Sequence, residues 1–161
     1  KYPLLVSHCL IKDNLRYCCV QELADNYRFK EICRFCGLDK PPILRVKDKK
    51  MYLFFGTRKG WRCFNLAQKK IVMLNRDPSL IPIMTNDAFT EVICYDQTGI
   101  YGMDIRTKEM KKLLEVESLK FAREFEDSII MLFADRIQYV SLADMGSPEV
   151  FFLEESSVPQ L

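Results

Sequence analysis

The chain has 161 residues, of which 48% are hydrophobic and 29% charged, and its formal net charge is +2. No run of about eighteen apolar residues occurs, which excludes a membrane-spanning helix, and the first residues lack the basic and then apolar pattern of a signal peptide. Seven cysteines without a regular spacing favour buried thiols over a disulfide framework. We therefore expect a single domain over residues 1–161 that works inside the cell, in the cytoplasm or nucleus.

Residues 1–40 are predicted to form a helical lead-in. Asp13 or Asn14 is a suitable N-cap, apolar side chains then follow at three-and-four spacing, and Gly37 would end the second of two short helices. The alternative is a degenerate β-repeat over residues 4–38. It stays open because the stretch LIKDNLRYCCV also has the pattern of a strand, a turn and a strand.

Residues 41–154 are predicted to form three β-repeats of about 38 residues, followed by a tail at 155–161. Each repeat has three apolar runs separated by polar turns, and the runs are rich in aromatic and β-branched residues, which favour strands. The repeats cover residues 51–74, 91–114 and 128–153. A further strand is predicted ahead of each, at 43–46, 80–84 and 119–122.

An alignment of the repeats makes Trp61, Ile100 and Ile137 equivalent, at offsets of 39 and then 37 residues. Four strands in about 40 residues is the period of a β-propeller blade. Since about four to eight blades close a propeller, three blades predict a partial or small propeller-like fold. The alternatives are a compact mixed β-domain capped by the N-terminal helices, and a β-trefoil, which resembles the fold of fibroblast growth factors.

A family resemblance is carried by residues 51–66, which read MYLFFGTRKGWRCFNL. This stretch resembles the opening blade motif of citron-homology domains, in which an apolar strand precedes Gly-Thr, two polar residues, Gly and a strand ending in leucine. The matching positions are Leu53, Gly56, Thr57, Arg58, Lys59, Gly60, Trp61 and Leu66. The resemblance implies a non-catalytic propeller that binds protein partners such as small GTPases, and it transfers no functional residue.

Basic side chains are concentrated in the first repeat. Residues 40–76 hold eleven basic side chains and one acidic one, whereas residues 77–161 hold seven basic and sixteen acidic ones. We predict that this repeat binds a partner with an acidic surface. The predicted binding residues are Lys47, Lys49, Lys50, Arg58, Lys59, Trp61, Arg62, Lys69 and Lys70.

Other partners would suit the same charge. RNA or single-stranded nucleic acid is the main alternative, because cations neutralise phosphates and an exposed ring such as Trp61 would stack on a base. A phosphoinositide, or pairing with the acidic half of the chain, would also account for the pattern.

No residue pattern indicates an enzyme or a cofactor. His8 is the only histidine, so any Ser-His or Cys-His nucleophile would need it, and its apolar neighbours favour a structural role. Cys33 and Cys36 form a C-x-x-C pair that could bind zinc, but no second pair accompanies it, which favours ordinary packing and no metal. The sequence thus predicts a non-catalytic protein-interaction or scaffold domain of a larger protein. It leaves the partner and the oligomeric state open.

Overall fold

The computed structural model describes residues 4–10, 16–38, 42–47, 50–86 and 88–153. The chain divides into two compact units, Lys1–Ser79 and Leu80–Leu161. The single domain expected over the whole chain stays a prediction, and the expected tail at 155–161 lies outside the described residues.

The first unit contains seven strands in two antiparallel sheets. The strands are β1 (Leu4–Leu10), β2 (Arg16–Leu23), β3 (Phe29–Leu38), β4 (Ile43–Lys47), β5 (Lys50–Thr57), β6 (Gly60–Asn65) and β7 (Lys70–Asn75). The sheet orders are β1-β2-β3 and β4-β5-β6-β7, so neighbours in each sheet are also neighbours along the chain. This is the up-and-down connection that short polar turns permit between antiparallel strands.

The N-terminal part is β-structure, so the predicted helical lead-in over residues 1–40 is wrong. The described residues contain no helix, and therefore none that could cross a membrane. A hairpin joins β2 to β3, where the Ala24 amide donates to the Arg28 carbonyl at 2.9 Å and Tyr27 has a φ of 59°. The absence of capping helices also overturns the helix-capped mixed β-domain.

Long-range packing explains why strands form where helices were expected. Cys18 and Val20 alternate along β2 with no exposed surface, and both belong to one core with Phe55 and Phe64 of the second sheet. In that core the rings of Phe35 and Phe55 stack with centroids 4.3 Å apart. Burying one such ring contributes about 2 kcal/mol, more than the small differences in local helix propensity. The alternative of a β-repeat over residues 4–38 is confirmed.

The second unit contains eight strands in two further antiparallel sheets. The strands are β8 (Ile81–Thr85), β9 (Glu91–Asp96), β10 (Gly99–Asp104), β11 (Met110–Glu115), β12 (Phe121–Phe125), β13 (Ser128–Leu132), β14 (Arg136–Ser141) and β15 (Glu149–Phe152). The sheet orders are β11-β10-β9-β8 and β12-β13-β14-β15. Their shared core includes Tyr95 and Ile100 from the first of these sheets and Ile129 and Met131 from the second.

The three predicted β-repeats are confirmed by one recurrent backbone hydrogen bond. In each repeat the residue after the third strand donates its amide to the carbonyl of a residue at, or immediately before, the start of the second strand. The pairs are Leu66 to Met51 (3.1 Å), Ile105 to Thr90 (2.8 Å) and Leu142 to Asp127 (3.0 Å). Their donors follow the predicted offsets of 39 and 37 residues. The predicted first strands are also present, although that of the third repeat begins at Phe121 rather than at residue 119.

Gly60 provides a test of the close approach between the first turn and β7. Its φ is 109°, and an added Cβ would collide with the carbonyl oxygen of Asn75 and lie 2.7 Å from the Cα of Arg76. We expect Gly60→Ala to lower the free energy of unfolding by about 2 kcal/mol or more, measured by urea denaturation.

Gly37→Ala is the matched control for this measurement. Gly37 also has a positive φ, of 71°, but an added Cβ there would meet no atom within 4 Å. Gly37→Ala should lower the free energy of unfolding by only about 1 kcal/mol, the penalty of a left-handed backbone conformation alone. Equal losses for the two variants would contradict the close approach at Gly60.

Candidate functional site

Most of the predicted basic binding residues that the structure describes lie at two opposite ends of the sheet β4-β5-β6-β7. The β5–β6 turn carries Arg58 and Lys59 at one end. The β4–β5 and β6–β7 turns lie together at the other end, since Tyr52 pairs with Asn65 in the register of β5 and β6. Six residues of strand separate the ends by about 20 Å. The structure therefore does not gather the nine predicted residues into one continuous surface.

The larger group lies at the end formed by the β4–β5 and β6–β7 turns, which we call the lysine end. It comprises Lys47, Lys50, Lys69 and Lys70. Lys47 and Lys50 are opposite each other in the register of β4 and β5, and Lys70 is opposite Asn65 in that of β6 and β7. The side chains of Lys69 and Lys70 are exposed. Lys49 lies outside the described residues.

Asn65 shapes the turn that presents Lys69 and Lys70. Its side-chain oxygen accepts hydrogen bonds from the amides of Ala67 at 3.0 Å and Gln68 at 3.1 Å. Lys69 then takes a left-handed φ of 52°. An asparagine that caps its own turn in this way holds the loop without a charge.

The same turn in the second repeat is capped by a carboxylate. Asp104 accepts from the amides of Arg106 at 2.8 Å and Thr107 at 2.7 Å, and these bonds lower the pKa of its carboxyl group. Two repeats thus share one turn geometry and differ in its charge. The residue that caps the β6–β7 turn of the first repeat is therefore neutral, where the second repeat has a carboxylate.

Trp61 is part of the interior and not of the surface. Only 2% of its surface is exposed, its ring Nε1–H donates to the Pro78 carbonyl at 3.3 Å, and a Cβ added to Gly56 would lie 3.3 Å from its ring. Within residues 42–47 and 50–79 no aromatic side chain is exposed. The other rings there are Tyr52, Phe54, Phe55 and Phe64, each at most 3% exposed. The first repeat therefore lacks a stacking platform in its described part.

Arg62 is separated from the other cations by its position inside β6. It is opposite Phe55 in the register of β5 and β6 and is half-buried. Its Nε atom is buried and has no hydrogen-bond acceptor among the described residues. Arg62 is thus poorly placed to meet a partner together with Arg58 and Lys59.

The turn end carries Arg58 and Lys59 on a tightly closed turn. The Thr57 hydroxyl accepts from the amide of Lys59 and donates to the carbonyl of Gly60, both at 3.2 Å. Arg58 and Lys59 are exposed. This end thus offers two exposed cations on its turn, as many as Lys69 and Lys70 provide at the lysine end.

Cys33 and Cys36 lie three residues apart on β3, opposite Val20 and Tyr17 of β2, and so on opposite faces of the sheet. Burial raises the pKa of the half-buried Cys33 thiol to about 11. No group of three or more His, Cys, Asp or Glu residues suited to a metal occurs in the part of the chain that the structure describes. Ordinary packing without a metal stays the prediction for Cys33 and Cys36, and this geometry adds no support for the less favoured zinc site.

Comparison with known proteins shows which solved structures the fold resembles. No family model and no curated protein matches the sequence. Similar solved structures include the CNH (citron-homology) domain of AfRom2, with 10% identity, 91% of this chain and 49% of that chain covered, and a TM-score of 0.48. A structural-genomics protein of unknown function from Bacteroides thetaiotaomicron has 11% identity, with 94% and 44% covered and a TM-score of 0.53.

A third similar structure comes from a structural and mechanistic analysis of two prolyl endopeptidases. It has 12% identity, with 95% of this chain and 29% of that chain covered, and a TM-score of 0.52. The chain thus spans about half the length of these structures or less. The second and third likenesses support a propeller-like β-repeat fold. They do not favour the β-trefoil, and membership of the citron-homology family stays a prediction.

The burial of Trp61 can be tested by fluorescence, because it is the only tryptophan. We expect a blue-shifted emission that acrylamide quenches weakly, and a red shift with strong quenching once the protein unfolds in urea. Adding single-stranded oligonucleotide should leave the emission unchanged, since no base can reach the ring. Strong quenching of the native protein by acrylamide would contradict the burial.

Thiol alkylation tests the contrast between Cys36 and the buried cysteines. Burial raises the pKa of Cys63 to about 12, and that of Cys33 to about 11, so at pH 8 both remain almost wholly protonated. Because the thiolate is the reactive form, iodoacetamide should label the exposed Cys36 at least about tenfold faster than either. Labelling in urea, where all sites are accessible, is the control. Similar native rates for Cys33 and Cys36 would contradict the assignment.

Proposed function

We propose that the chain is a non-catalytic protein-interaction module, in which a β-repeat scaffold presents the lysine end to an acidic surface of a partner protein. The observation that carries the proposal is the exposed pair Lys69 and Lys70 beside a turn whose capping residue, Asn65, is neutral, with the backbone of Lys47 and Lys50 at the same end of the sheet. Turns positioned by a rigid sheet are common sites of binding. The positive electrostatic potential of the lysines on such turns would attract an acidic partner and orient it.

An acidic protein suits this surface better than single-stranded nucleic acid does. Proteins that bind single strands stack bases on exposed rings, and each stacked base contributes about 1–3 kcal/mol. Trp61 and its aromatic neighbours are buried, so only phosphate contacts would remain to RNA in the described part of this repeat. The resemblance of residues 51–66 to citron-homology domains adds small GTPases to the classes of protein that the surface would be tested against.

A pair of charge reversals tests the lysine end. We expect Lys69→Glu with Lys70→Glu to weaken binding of a fluorescein-labelled polyglutamate peptide at least about tenfold, because favourable charge pairs become repulsive. The measurement is fluorescence anisotropy at about 50 and 150 mM salt, where screening of surface charges differs.

Arg58→Glu with Lys59→Glu is the matched control, since it changes the net charge equally at the opposite end of the same sheet. It should weaken binding by no more than about threefold, the contribution of overall charge. Equal losses in the two variants would contradict a site at the lysine end. Tighter, steeply salt-dependent binding of a labelled uridine oligonucleotide would favour the nucleic-acid alternative.

A further inference from the structure

Arg62 lies on the face of β6 that packs against the sheet β1-β2-β3. It is opposite Phe55 in the register of β5 and β6, and Phe64, two residues along the strand, is opposite Leu53. Directly opposite residues share a face of an antiparallel sheet, as do alternate residues of one strand. Phe55, Phe64 and Leu53 are buried in one core with Val20 of β2. Arg62 is therefore a cation at a core-facing position.

The positive charge of Arg62 has no counterion among the described residues. Its side chain is half-buried, its Nε atom is buried without a hydrogen-bond acceptor, and it takes part in none of the ion pairs found there. The residues opposite it, Phe55 of β5 and Met73 of β7, carry no carboxylate. Residues 40–76 contain a single acidic residue, Asp48. A half-buried charge without a partner costs stability.

The fold does not require a charge at this position. At the offsets of 39 and 37 residues, Arg62 corresponds to Tyr101 in the second repeat and Gln138 in the third. The registers agree, since the residues opposite them on the preceding strand follow the same offsets. Two of the three repeats thus form the same strand with a polar, neutral side chain here. The charge of Arg62 therefore has a reason other than the fold.

The second repeat shows how a cation next to this position is neutralised. Lys112 is opposite Tyr101, with its ammonium 5.8 Å from the centre of the Tyr101 ring and 3.1 Å from a carboxylate oxygen of Glu115. Its counterion thus comes from its own strand. Arg62 has no such carboxylate in the described part of its sheet. A carboxylate from another molecule would supply what this sheet lacks.

We propose that Arg62 binds one carboxylate of the acidic partner, as an anchor separate from the lysine end. This inference rests on the proposed function and names the residue that would fix the position of the partner along the sheet. Arg62 lies three residues from Asn65 on β6, so about 10 Å separate it from the lysine end. An extended acidic segment of about four residues would reach both places.

A carboxylate suits Arg62 better than a phosphate group does. A guanidinium group matches a planar carboxylate with two parallel hydrogen bonds, and one negative charge neutralises it. A phosphate dianion would bring a second negative charge to the half-buried position, where neither Phe55 nor Met73 could neutralise it. Partial burial also strengthens the pair, because the dielectric constant is lower there than at an exposed lysine.

Arg62→Gln tests the anchor, because glutamine is the residue that the third repeat holds at the equivalent position. We expect binding of the fluorescein-labelled polyglutamate peptide, measured by fluorescence anisotropy, to weaken about tenfold, since charge-assisted hydrogen bonds are lost. The urea midpoint of the free protein should stay unchanged or rise, because an unpaired half-buried charge is removed. A purely structural role would instead lower that midpoint.

Lys59→Gln is the matched control, since it removes one positive charge from an exposed turn of the same sheet. It should weaken peptide binding by no more than about twofold. Arg62→Lys keeps the charge without the planar pair of donors, and it should recover part of the affinity that Arg62→Gln loses. Inorganic phosphate should displace the peptide no better than sodium chloride does at the same ionic strength.

Three outcomes would overturn the anchor. They are equal losses of affinity in Arg62→Gln and Lys59→Gln, a lower urea midpoint for Arg62→Gln whatever its affinity, and displacement of the peptide by phosphate beyond the effect of ionic strength. The proposed function is tested separately by Lys69→Glu with Lys70→Glu. If that pair weakens binding and Arg62→Gln does not, the anchor fails and the lysine end stands. If neither weakens binding, both fail.

Discussion

Packing of one apolar sheet face against the next sheet is the interaction on which both units depend. In the first unit the stacked rings of Phe35 and Phe55 join two sheets, and in the second Tyr95 and Ile100 join a core with Ile129. A small antiparallel sheet has too little buried surface to be stable alone, so each repeat needs a neighbour. This requirement explains why β5 and β6 are apolar on both faces.

The sheet ends are free of that constraint and carry the charge. Residues inside the strands must pack against a neighbouring sheet, whereas a turn needs only a capping side chain to hold its shape. Asn65 and Asp104 cap equivalent turns with the same pair of amide hydrogen bonds, one without a charge and one with a carboxylate. The scaffold can therefore change the electrostatics of an end without changing its geometry. That separation is what a repeat domain used for binding requires.

The chain has two surfaces of unlike chemistry. The lysine end is polar, sits on turns and would act through charge, which gives speed and orientation to binding more than strength. One face of the sheet β12-β13-β14-β15 carries the exposed side chains of Phe121, Leu132 and Phe151, so its accessible surface is largely apolar. The first surface belongs to the unit Lys1–Ser79 and the second to Leu80–Leu161. Occupation of one therefore does not by itself require the residues of the other.

The N-terminal strands show where local pattern is insufficient. The apolar residues of β2 and β3 fit both a helical spacing and a strand alternation, and Gly37 suits either a helix end or the irregular strand it occupies. Nothing within residues 1–40 themselves distinguishes the two. The distinction comes from Leu53, Phe55 and Phe64, whose burial requires a flat apolar partner that only a sheet provides.

The sequence by itself determined the repeats from Ile43 onward, their offsets and their strand order, because alternating apolar runs and polar turns are local properties that antiparallel meanders follow directly. It also determined the total charge of the first repeat. Only the tertiary structure decided that Trp61 is interior, and that the neighbouring cations divide between two ends of a sheet. Those facts depend on strand register and on which face meets another sheet, and both are set by contacts between residues far apart in the chain.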